Sequence, residues 1–435
     1  MRILLLGNGG REHALSWRLN QCESVSEIIV GASSVNPGIS DDGIDSIILD
    51  ICSPEEVLKH AQELEIDLVI SGGEPPLVAG IADLLRINNI SVFGPNKDGA
   101  QLEGSKAWMK EVLVSSGAPT AQHQSFTAGQ LDVALQFLVD LEEETKTGTY
   151  IIKTDGLAGG KGVTVSNSLD EARDAVKEYL SGQAFGDAGT TCVIEEAMVG
   201  PEISIFAICD GENVVFIGDA QDHKRINDND EGLNTGGMGA YSPVPFVDDN
   251  LVKQIMAESI VPTVAELKRR SIDYRGVLYA GLMLTKTGPR LLEYNIRFGD
   301  PECQILMMRF KGDIAKVLKA CADGDLNSIG FDSELNLTDE SSLTVVISAK
   351  GYPENPEKGA VITGIEQANE INGVKVFFAG VKNDNGQLIV SGGRVLNVTA
   401  TGESIEIARD RAYKACELIN FKGMHYRTDI ASQAV

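Results

Sequence analysis

The chain has 435 residues, 43% of them hydrophobic and 23% charged, which is the balance of a soluble globular protein. That length exceeds one ordinary core and predicts two to four domains. No apolar run reaches the about 18 residues that a membrane span needs, and a strand pattern starts directly after Met1 without a signal peptide. The net charge of −26 argues against a nucleic-acid partner, because a phosphate backbone would be repelled.

The seven cysteines are scattered and include no CxxC pair, so they are interpreted as reduced residues of a cytoplasmic protein. If the substrates are anions, the cations that bind them must be concentrated locally, since the chain as a whole is strongly acidic.

Strand and helix signals alternate over residues 1–105, which predicts a parallel sheet covered by helices. The expected strands are 2–6, 27–30, 46–49, 67–71 and 91–93. The expected helices are 12–20, 54–65, 77–87 and a longer one at 100–115. We expect this N-terminal domain to end near residue 105.

Four further segments follow along the chain. Residues 106–122 are expected to be a connecting helix and linker, and 123–194 a small unit with strands at 150–153, 162–165 and 191–195 and a helix near 170–180. A central block at 195–328 has long strands predicted at 202–209, 214–220, 278–285 and 290–297. A last block at 329–428 has strands predicted at 342–348, 374–379 and 393–400 and a helix near 404–419. The acidic stretch at 141–145 is interpreted as a solvated helix end or loop.

Glycines directly follow the first predicted strand, in the segment GNGGREHA at 7–14. A dinucleotide fingerprint would need glycine where Glu12 stands and an acid at the end of the second strand, where the chain has Gly31 and Ala32. The turn therefore favours an anion site at a helix N-terminus over nicotinamide binding. Arg11 opposes the helix dipole there, so we expect it to face a ligand. A tight turn with no ligand is the alternative.

A second glycine cluster, IIKTDGLAGGKGV at 151–163, continues from a strand that ends in Lys153. Its backbone N–H groups could cradle phosphate oxygens. It is not a Walker A loop, because Asp155 and Gly162 stand where that motif requires Gly and Ser or Thr. A plain hairpin loop is the alternative. Lys106, in LEGSKAWMK, would by itself be read as a solvated lysine.

Polar side chains alternate along RLLEYNIRFGDPE at 290–302. Glu293, Asn295 and Arg297 are predicted to share one face of a strand, with Leu292, Tyr294, Ile296 and Phe298 on the other. The first set offers oxygens for a magnesium ion and a guanidinium for an anion. An amphipathic strand with its polar side in water is the alternative.

Two more segments are candidates for substrate contacts. The strand at 193–196 runs into Ala197 and Met198, which could form a backbone edge for adenine, or merely one half of a hairpin. The polar stretch 219–243 is predicted as a long loop, and it brings His223, Lys224 and Arg225 together in an otherwise acidic chain. A solvated loop is the alternative there.

With GNGGREHA, GPNKDGAQLEGSKAW, DGLAGGKGV, QDHKR, NTGGMGAYSP and RFGDPE in this order, the whole chain resembles the glycinamide ribonucleotide synthetase family of ATP-grasp enzymes. The resemblance implies a multi-domain α/β fold with an N-terminal doubly wound parallel-sheet domain, a small α+β lid, a central α+β ATP-grasp domain and a C-terminal α/β domain. It implies ATP-dependent ligation of glycine to 5-phosphoribosylamine through glycyl phosphate, in purine (IMP) biosynthesis.

ATP is implied as co-substrate, with Mg²⁺ or Mn²⁺ held by Glu293 and Asn295. The implied ATP-binding residues are Lys106, Lys153, Gly159, Gly160, Lys161, Gly162, Glu195, Glu196, Met198 and Glu202. The lysines are expected on the phosphates, the strand through Glu195 on the adenine and Glu202 on the ribose. The lid would close over the nucleotide.

The implied substrate-binding residues are Gly9, Gly10, Arg11, Glu12, Glu74, Asp222, Lys224, Arg225, Arg297, Gly299 and Asp300. Arg297, Lys224 and Asp222 are the expected catalytic residues. Gly73 stands where the family commonly has proline, and Gly159 where it has alanine, so both sites are expected to be more flexible. A transient contact with the enzyme that supplies the amine is a further expectation. Another ATP-grasp ligase or carboxylase, and a non-catalytic nucleotide-binding protein, are the alternatives.

Overall fold

The structure is a computed structural model that describes residues 1–156, 162–181, 191–329 and 337–435. The first of its sheets is made of β1 (Arg2–Leu6), β2 (Glu27–Ala32), β3 (Asp45–Ile48), β4 (Leu68–Ser71) and β5 (Ser91–Phe93). All pair in parallel, in the order β3-β2-β1-β4-β5. The order reverses between β1 and β4, and ligands of doubly wound sheets bind beyond the strand ends at such a switch point.

Helices cover this sheet as the alternating pattern predicts. They are α1 (Gly10–Leu19), α2 (Pro37–Asp41), α3 (Pro54–Glu63), α4 (Glu74–Val78), α5 (Ile81–Ile87), α6 (Gln101–Gly104) and α7 (Lys106–Ser116). Two predicted helices are each split in two. Gly80 separates α4 from α5 in a left-handed conformation with φ +91°. Ser105 separates α6 from α7 because its extended backbone lets its hydroxyl accept the N–H of Trp108, 3.1 Å away.

A small four-stranded antiparallel sheet follows, and α8 (Leu131–Thr145) and α9 (Leu169–Leu180) belong to the same unit. Its strands are β6 (His123–Thr127), β7 (Tyr150–Thr154), β8 (Val163–Ser166) and β9 (Thr191–Glu196), in the order β6-β9-β7-β8. The unit has an apolar core of its own, which includes Phe126, Leu138 and Ile194. The acidic stretch at 141–145 is the end of α8, one of the two readings that the sequence left open.

The central part contains β10 (Glu202–Asp210), β11 (Val214–Asp222), β12 (Arg225–Asn227), β13 (Glu231–Asn234), β14 (Gly239–Ser242), β15 (Arg275–Thr285) and β16 (Gly288–Asn295). Its helices are α10 (Asp249–Ile255), α11 (Val261–Arg269), α12 (Glu302–Arg309) and α13 (Ile314–Asp323). The prediction of one long loop over 219–243 is wrong, because this stretch holds the β12-β13 hairpin and the buried strand β14. The polar composition of this stretch gave no strand signal, although its segments form strands by pairing with one another and with neighbouring strands.

The last part contains β17 (Ser341–Ser348), α14 (Ile365–Asn369), β18 (Val374–Phe378), β19 (Val381–Asp384), β20 (Gln387–Val390), β21 (Arg394–Gly402) and α15 (Ile405–Leu418). One antiparallel sheet joins it to the central part, in the order β16-β15-β10-β11-β14-β17-β21-β18. We expected a domain boundary at residues 328–329. Because β14 pairs with β17, strands from both sides of that boundary belong to one sheet. No helix within the described ranges is long and apolar enough to cross a membrane.

Candidate active site

A cavity of about 460 Å³ lies where the three larger parts of the molecule meet. The N-terminal sheet contributes Arg11 and Glu74 from either side of its switch point. Helices, strands and loops of the rest supply the other charged and amide side chains: Glu103, Lys106, Asp222, Lys224, Glu293, Asn295, Arg297, Asp300, Glu302 and Arg394. The cavity therefore brings five cationic side chains together with six carboxylates, a nearly balanced set inside a chain that is acidic overall.

The opening glycine turn presents Arg11 to this cavity. Gly7 has φ +114°, a conformation that favours glycine, and Gly9 is the N-cap of α1. The Glu12 carboxylate accepts the N–H of Gly9 at 2.6 Å and the Nε–H of Arg11 at 2.7 Å. Glu12 is only 3% exposed, so its structural role is to cap the helix and orient Arg11.

Gly10 is needed for packing between the first and last parts of the chain. A Cβ atom there would lie 2.2 Å from Nδ2 of Asn397, on β21. Gly299 is needed for a local contact in the central part, where a Cβ would lie 2.2 Å from the carboxylate of the lining residue Glu302. Both glycines let the backbone approach a side chain closely.

The end of β16 aims its polar side chains at the cavity, as its alternation predicts. Glu293, Asn295 and Arg297 line the cavity, while Ile296 and Tyr294 are buried, although Tyr294 also contributes to the lining. Leu292 departs from the predicted apolar face, because the pairing with β15 is irregular there and buries Leu291 instead. Burial alone would raise the pKa of Glu293, but Lys224, Lys153 and Lys106 outweigh it and lower the pKa.

Two carboxylates hold Arg297. Its Nη2 donates to Glu103 at 2.8 Å, and its Nε lies 3.5 Å from the carboxylate of Glu74. Glu103 also accepts the N–H of Ile296 at 2.9 Å. Burial raises the pKa of Glu103 despite the neighbouring Arg297, whereas the pKa of Glu74 is lowered because Arg297 outweighs its burial. Sequence reasoning missed Glu103, which lies one turn before the break at Ser105.

A buried group of two lysines and one glutamate lies between α7 and the four-stranded unit. The Nζ atoms of Lys153 and Lys110 each lie 3.1 Å from Oε2 of Glu195, and all three side chains are nearly inaccessible. Burial lowers the pKa of Lys110 to about 8, and the two lysines overcome burial to lower that of Glu195. The side chain of Glu195 thus orders lysines, and Lys110 was missed by sequence reasoning.

Lys106 is the first residue of α7, and its Nζ donates to the carbonyl of Gly156 at 3.2 Å. Asp155 also connects the start of α7 to the segment that follows β7, because its carboxylate accepts hydrogen bonds from the hydroxyl of Ser105 and the N–H of Ala107. Gly162 also lines the cavity. Gly159, Gly160 and Lys161 lie outside the described residues.

The remaining nucleotide candidates lie along the exit of β9 and the start of β10. Glu196 pairs with Arg290, and Met198 is half-buried in the following loop. The carboxylate of Glu202 accepts a hydrogen bond from the Nζ of Lys224 at 2.8 Å.

Asp222 ends β11 at the cavity wall, and Lys224, two residues further on, also lines the cavity. Burial raises the pKa of Asp222, although Lys224 opposes this. Arg225 instead lies on the β12-β13 hairpin and donates to the carbonyl of Gly232 at 2.8 Å. Among the described lining residues Arg225 does not occur, so the structure separates it from its neighbour Lys224.

Asp300 is held by residues from two parts of the chain. It accepts Nε2 of Gln304 at 2.8 Å and Nη2 of Arg394 at 3.1 Å. Arg394, at the start of β21, also donates to the carbonyl of Gly236 at 2.6 Å. Sequence reasoning missed Arg394, because only the tertiary fold brings it 94 positions back along the chain to Asp300.

The donor set at the end of β16 fits a hard divalent cation. Glu293 offers an ionised carboxylate and Asn295 an amide oxygen, and phosphate oxygens commonly complete such sites. No group of three His, Cys, Asp or Glu side chains in the described ranges is arranged to hold a metal by itself. The residues therefore suit an ion that arrives with a phosphate ligand.

Three family models match the chain. They are the phosphoribosylglycinamide synthetase N domain (residues 1–103), its ATP-grasp (A) domain (104–303) and its C domain (342–433). The phosphoribosylamine–glycine ligases of Mesorhizobium japonicum and Rhodopirellula baltica are 47% and 43% identical, each covering 100% of this chain and 99% and 98% of the relative.

A crystal structure of phosphoribosylamine–glycine ligase from Thermotoga maritima is similar with a TM-score of 0.83 and 31% identity, covering 99% of this chain and 100% of that one. A biotin carboxylase domain from Hydrogenobacter thermophilus has a TM-score of 0.71 at 18% identity, covering 98% and 91% of the two chains, which shows a shared fold alone. The chain belongs to the phosphoribosylglycinamide synthetase family of ATP-grasp ligases.

Proposed function

We propose that this chain uses ATP to join the carboxylate of glycine to the amine of 5-phosphoribosylamine, releasing ADP and phosphate in purine biosynthesis. One observation carries the proposal. A single cavity is lined both by Arg11, at the switch point of the N-terminal sheet, and by Lys106 and Glu293 of the ATP-grasp part. A sugar-phosphate site therefore adjoins a nucleotide site.

The reaction has two steps. A glycine carboxylate oxygen attacks the γ-phosphorus of ATP, the bond to ADP breaks and glycyl phosphate forms. The amine nitrogen of phosphoribosylamine then attacks the acyl carbon, the C–O bond to phosphate breaks and the nitrogen loses a proton. Phosphoryl transfer of this kind relies on positioning and on neutralised charge.

The chain's own cations neutralise that charge. Lys106 and Lys153 bind the ATP phosphates, supported by Asp155 and Glu195. Gly162 lines the same cavity, and Gly159, Gly160 and Lys161 are further residues proposed to bind ATP. The strand through Glu195 and Glu196 to Met198 meets the adenine with its backbone, and Glu202 lies beside the ribose.

Glu293 and Asn295 would hold Mg²⁺ or Mn²⁺. When bound there, the ion supplies positive charge to the phosphate oxygens. Arg297, on the same strand face, binds the acyl phosphate, and Glu103 and Glu74 fix the orientation of its guanidinium.

The phosphoribosylamine lies across the turn Gly9–Gly10 and the cavity wall. Arg11 and Lys224 bind its phosphate and hydroxyl groups together with Glu74, Gly299 and Asp300, while Glu12 acts through Arg11. Asp222 accepts the proton of the attacking amine, which suits a carboxylate whose pKa is raised by burial. Arg225 would contribute from the hairpin.

Residues 123–194 form the lid in this proposal, which their separate core supports. The other domains are 1–105, the central part at 195–328 and the last part at 329–428, with 106–122 as the connection. A cytoplasmic location is consistent with seven unpaired cysteines. A transient contact with the enzyme that makes the labile amine is part of the same proposal.

The test uses glycine labelled with ¹⁸O in its carboxylate. One label should appear in the released phosphate, and ADP release should require both glycine and the amine. Amide product without label in the phosphate would rule out the acyl-phosphate route. ADP release that needs bicarbonate and ignores the amine would instead favour a carboxylase.

A further inference from the structure

The C-terminal segment, residues 425–433, crosses the molecule to lie against the β12-β13 hairpin. That hairpin is a separate two-stranded sheet beside the main one, and most of its residues from 227 to 234 are exposed. Its base opens on the cavity, since Lys224, Thr235 and Gly236 are lining residues. Whatever holds the hairpin also fixes that wall.

Arg427 is the centre of the contact. Its side chain is 1% exposed, although its partner Asp230 has a side chain that is 68% exposed. The guanidinium binds Asp429 in two bonds of 2.7 Å each, and its Nη1 donates to Asp230 at 2.7 Å and to the carbonyl of Arg225 at 3.2 Å. Buried two-bond arginine–carboxylate pairs of this type fix geometry strongly.

Four further bonds connect the same two segments, one of them from the hydroxyl of Thr428 to Asp228. The N–H of Thr428 donates to Asp228 at 2.8 Å, and the N–H of Asn229 donates to Asp429 at 2.8 Å. The Nε2 of His425 lies 2.8 Å from the carbonyl of Ile226. The C-terminal segment thus holds β12 and the turn that connects it to β13.

The hairpin tip needs such support. Asn229 and Asp230 have φ values of +59° and +54°, which side-chain-bearing residues rarely adopt. Conformations of this kind persist where the surroundings over-determine them, often beside functional sites. Here each of the two residues contacts the C-terminal segment directly.

The hairpin passes this constraint to the cavity through its base. The carbonyl of Lys224 accepts both the N–H and the hydroxyl of Thr235 at 2.8 Å. Lys224 and Thr235 are therefore bonded to each other at the base of the hairpin. A displacement of the hairpin would move both of these lining residues together.

We propose that the C-terminal segment is a strap that positions the phosphoribosylamine side of the cavity, with Arg427 and Asp429 as positioning residues. The inference rests on the proposed function, since it assigns Lys224 to that substrate. Binding of the ATP phosphates should be affected least, because Lys106 and Lys153 contact Gly156 and Glu195 rather than the strap. The nucleotide is linked to the strap less directly, through the bond between Lys224 and Glu202, the residue proposed for the ribose.

The test compares Arg427→Met, Asp230→Asn and the double variant in the full-length enzyme. We expect kcat/KM for phosphoribosylamine to fall on the order of ten- to a hundredfold, as small misplacements of a binding group typically do. KM for ATP should change much less than kcat/KM for the amine, because the lysines proposed for its phosphates do not contact the strap. The double variant should be no worse than Arg427→Met, because Arg427→Met already removes the contact that Asp230→Asn weakens. Hydrogen exchange over 225–234 should rise in each variant.

Arg275→Met is the matched control, since that arginine also pairs with an aspartate, Asp273, but lies away from the hairpin. It should leave kcat/KM for the amine unchanged. If Arg427→Met does not fold, the exposed Asp230→Asn variant carries the test. Equal losses for ATP and the amine, or wild-type exchange and kinetics in folded variants, would overturn the proposal. A wild-type enzyme without amine-dependent ADP release would contradict the proposed function, while the exchange result would still judge the strap.

Discussion

Several neighbouring cations act electrostatically on the carboxylate of Glu293. Lys224, Lys153 and Lys106 together keep its carboxylate ionised in spite of burial. The neighbouring Tyr294 and Ile296 pack on the opposite side of the strand, so the charge of Glu293 can be changed without emptying the core.

Glu293→Gln should therefore lower kcat by roughly 10²-fold or more, a size typical of losing one electrostatic contributor. The thermal midpoint should stay near that of the wild type, because the amide has the same shape. Steady-state ADP release measures the effect. Glu354→Gln, which removes the same charge from an exposed loop, should leave kcat unchanged. A variant with wild-type kcat would remove Glu293 from the catalytic site.

Lys110 has a different role, which is to balance a buried charge. With Lys153 it surrounds Glu195, and its Nζ also donates to Thr120 at 2.8 Å. Lys110→Met keeps the length of the side chain but leaves Glu195 with one cation. We expect the free energy of unfolding to fall by about 3 kcal/mol, the lower range for breaking a buried ion pair.

Urea unfolding of Lys110→Met, Glu195→Gln and the double variant measures this coupling. The double variant should lose less stability than the two single changes added together, because it no longer buries an under-compensated carboxylate. Strictly additive losses would show that the two residues do not depend on each other.

At the scale of elements, the four-stranded unit with α8 and α9 is the part that we propose closes over the nucleotide. It supplies Gly156, Gly162 and Val163 to the cavity but keeps a separate apolar core. Lid closures of this type occur on microsecond to millisecond scales.

A nonhydrolysable ATP analogue with Mg²⁺ should slow hydrogen exchange in the described residues 162–166 and in the 197–200 linker. Strand β18, which lies in the last part of the chain, is the internal control and should not change. Unaltered exchange in both lid segments while the analogue is bound would contradict a closing lid.

Local patterns predicted most elements, because their signals are contained in a few adjacent residues. Ser53 caps α3, and Pro54 follows as its first residue. The expected alternation along β16 holds from Glu293 onward, after the irregular pairing at Leu292. Helix α8 was missed except for its end, although Ala134, Leu138 and Leu141 are buried at helical spacing. The short β14 could not be predicted, because it is defined by its partners β11 and β17.

The same division applies to the site. Resemblance and alternation indicated Lys106, Glu293 and Arg297, and all three line the cavity. Arg394 depends on a contact with Asp300, 94 positions away, so no local pattern could assign it. A signal existed for Lys110, since a lysine between the buried Met109 and Val112 implies a buried anion nearby.

At the scale of the whole molecule, the first and last parts of the chain are joined at a titratable contact. Nδ1 of His13 accepts the N–H of Phe378 at 2.8 Å, so its Nε2 carries the proton and donates to Asp42 at 3.0 Å. Lys375, on β18, also binds Asp42. Burial outweighs the carboxylate and lowers the pKa of His13, while the histidine and lysine lower that of Asp42.

Stability should therefore fall as the pH falls. An unfolded histidine binds a proton near pH 6.5, whereas the folded His13 resists it, so the unfolded state gains protons first. Protonation would also remove the acceptor for Phe378. His13 can contribute up to about 1.4 kcal/mol per pH unit below pH 6.5, and the Asp42 contribution is lost only at still lower pH.

His13→Asn, which keeps an acceptor for Phe378, should make the decline in unfolding free energy between pH 6.5 and 5.5 shallower than in the wild type. Asn36→Ala is the matched control, because Asn36 donates to the carbonyl of Phe378 at 2.7 Å in the same contact without titrating. It should lower stability by a similar amount at every pH in that window. Urea unfolding of the three proteins at several pH values decides the matter. An identical pH slope in the wild type and His13→Asn would mean that this histidine does not couple the two ends of the chain to pH.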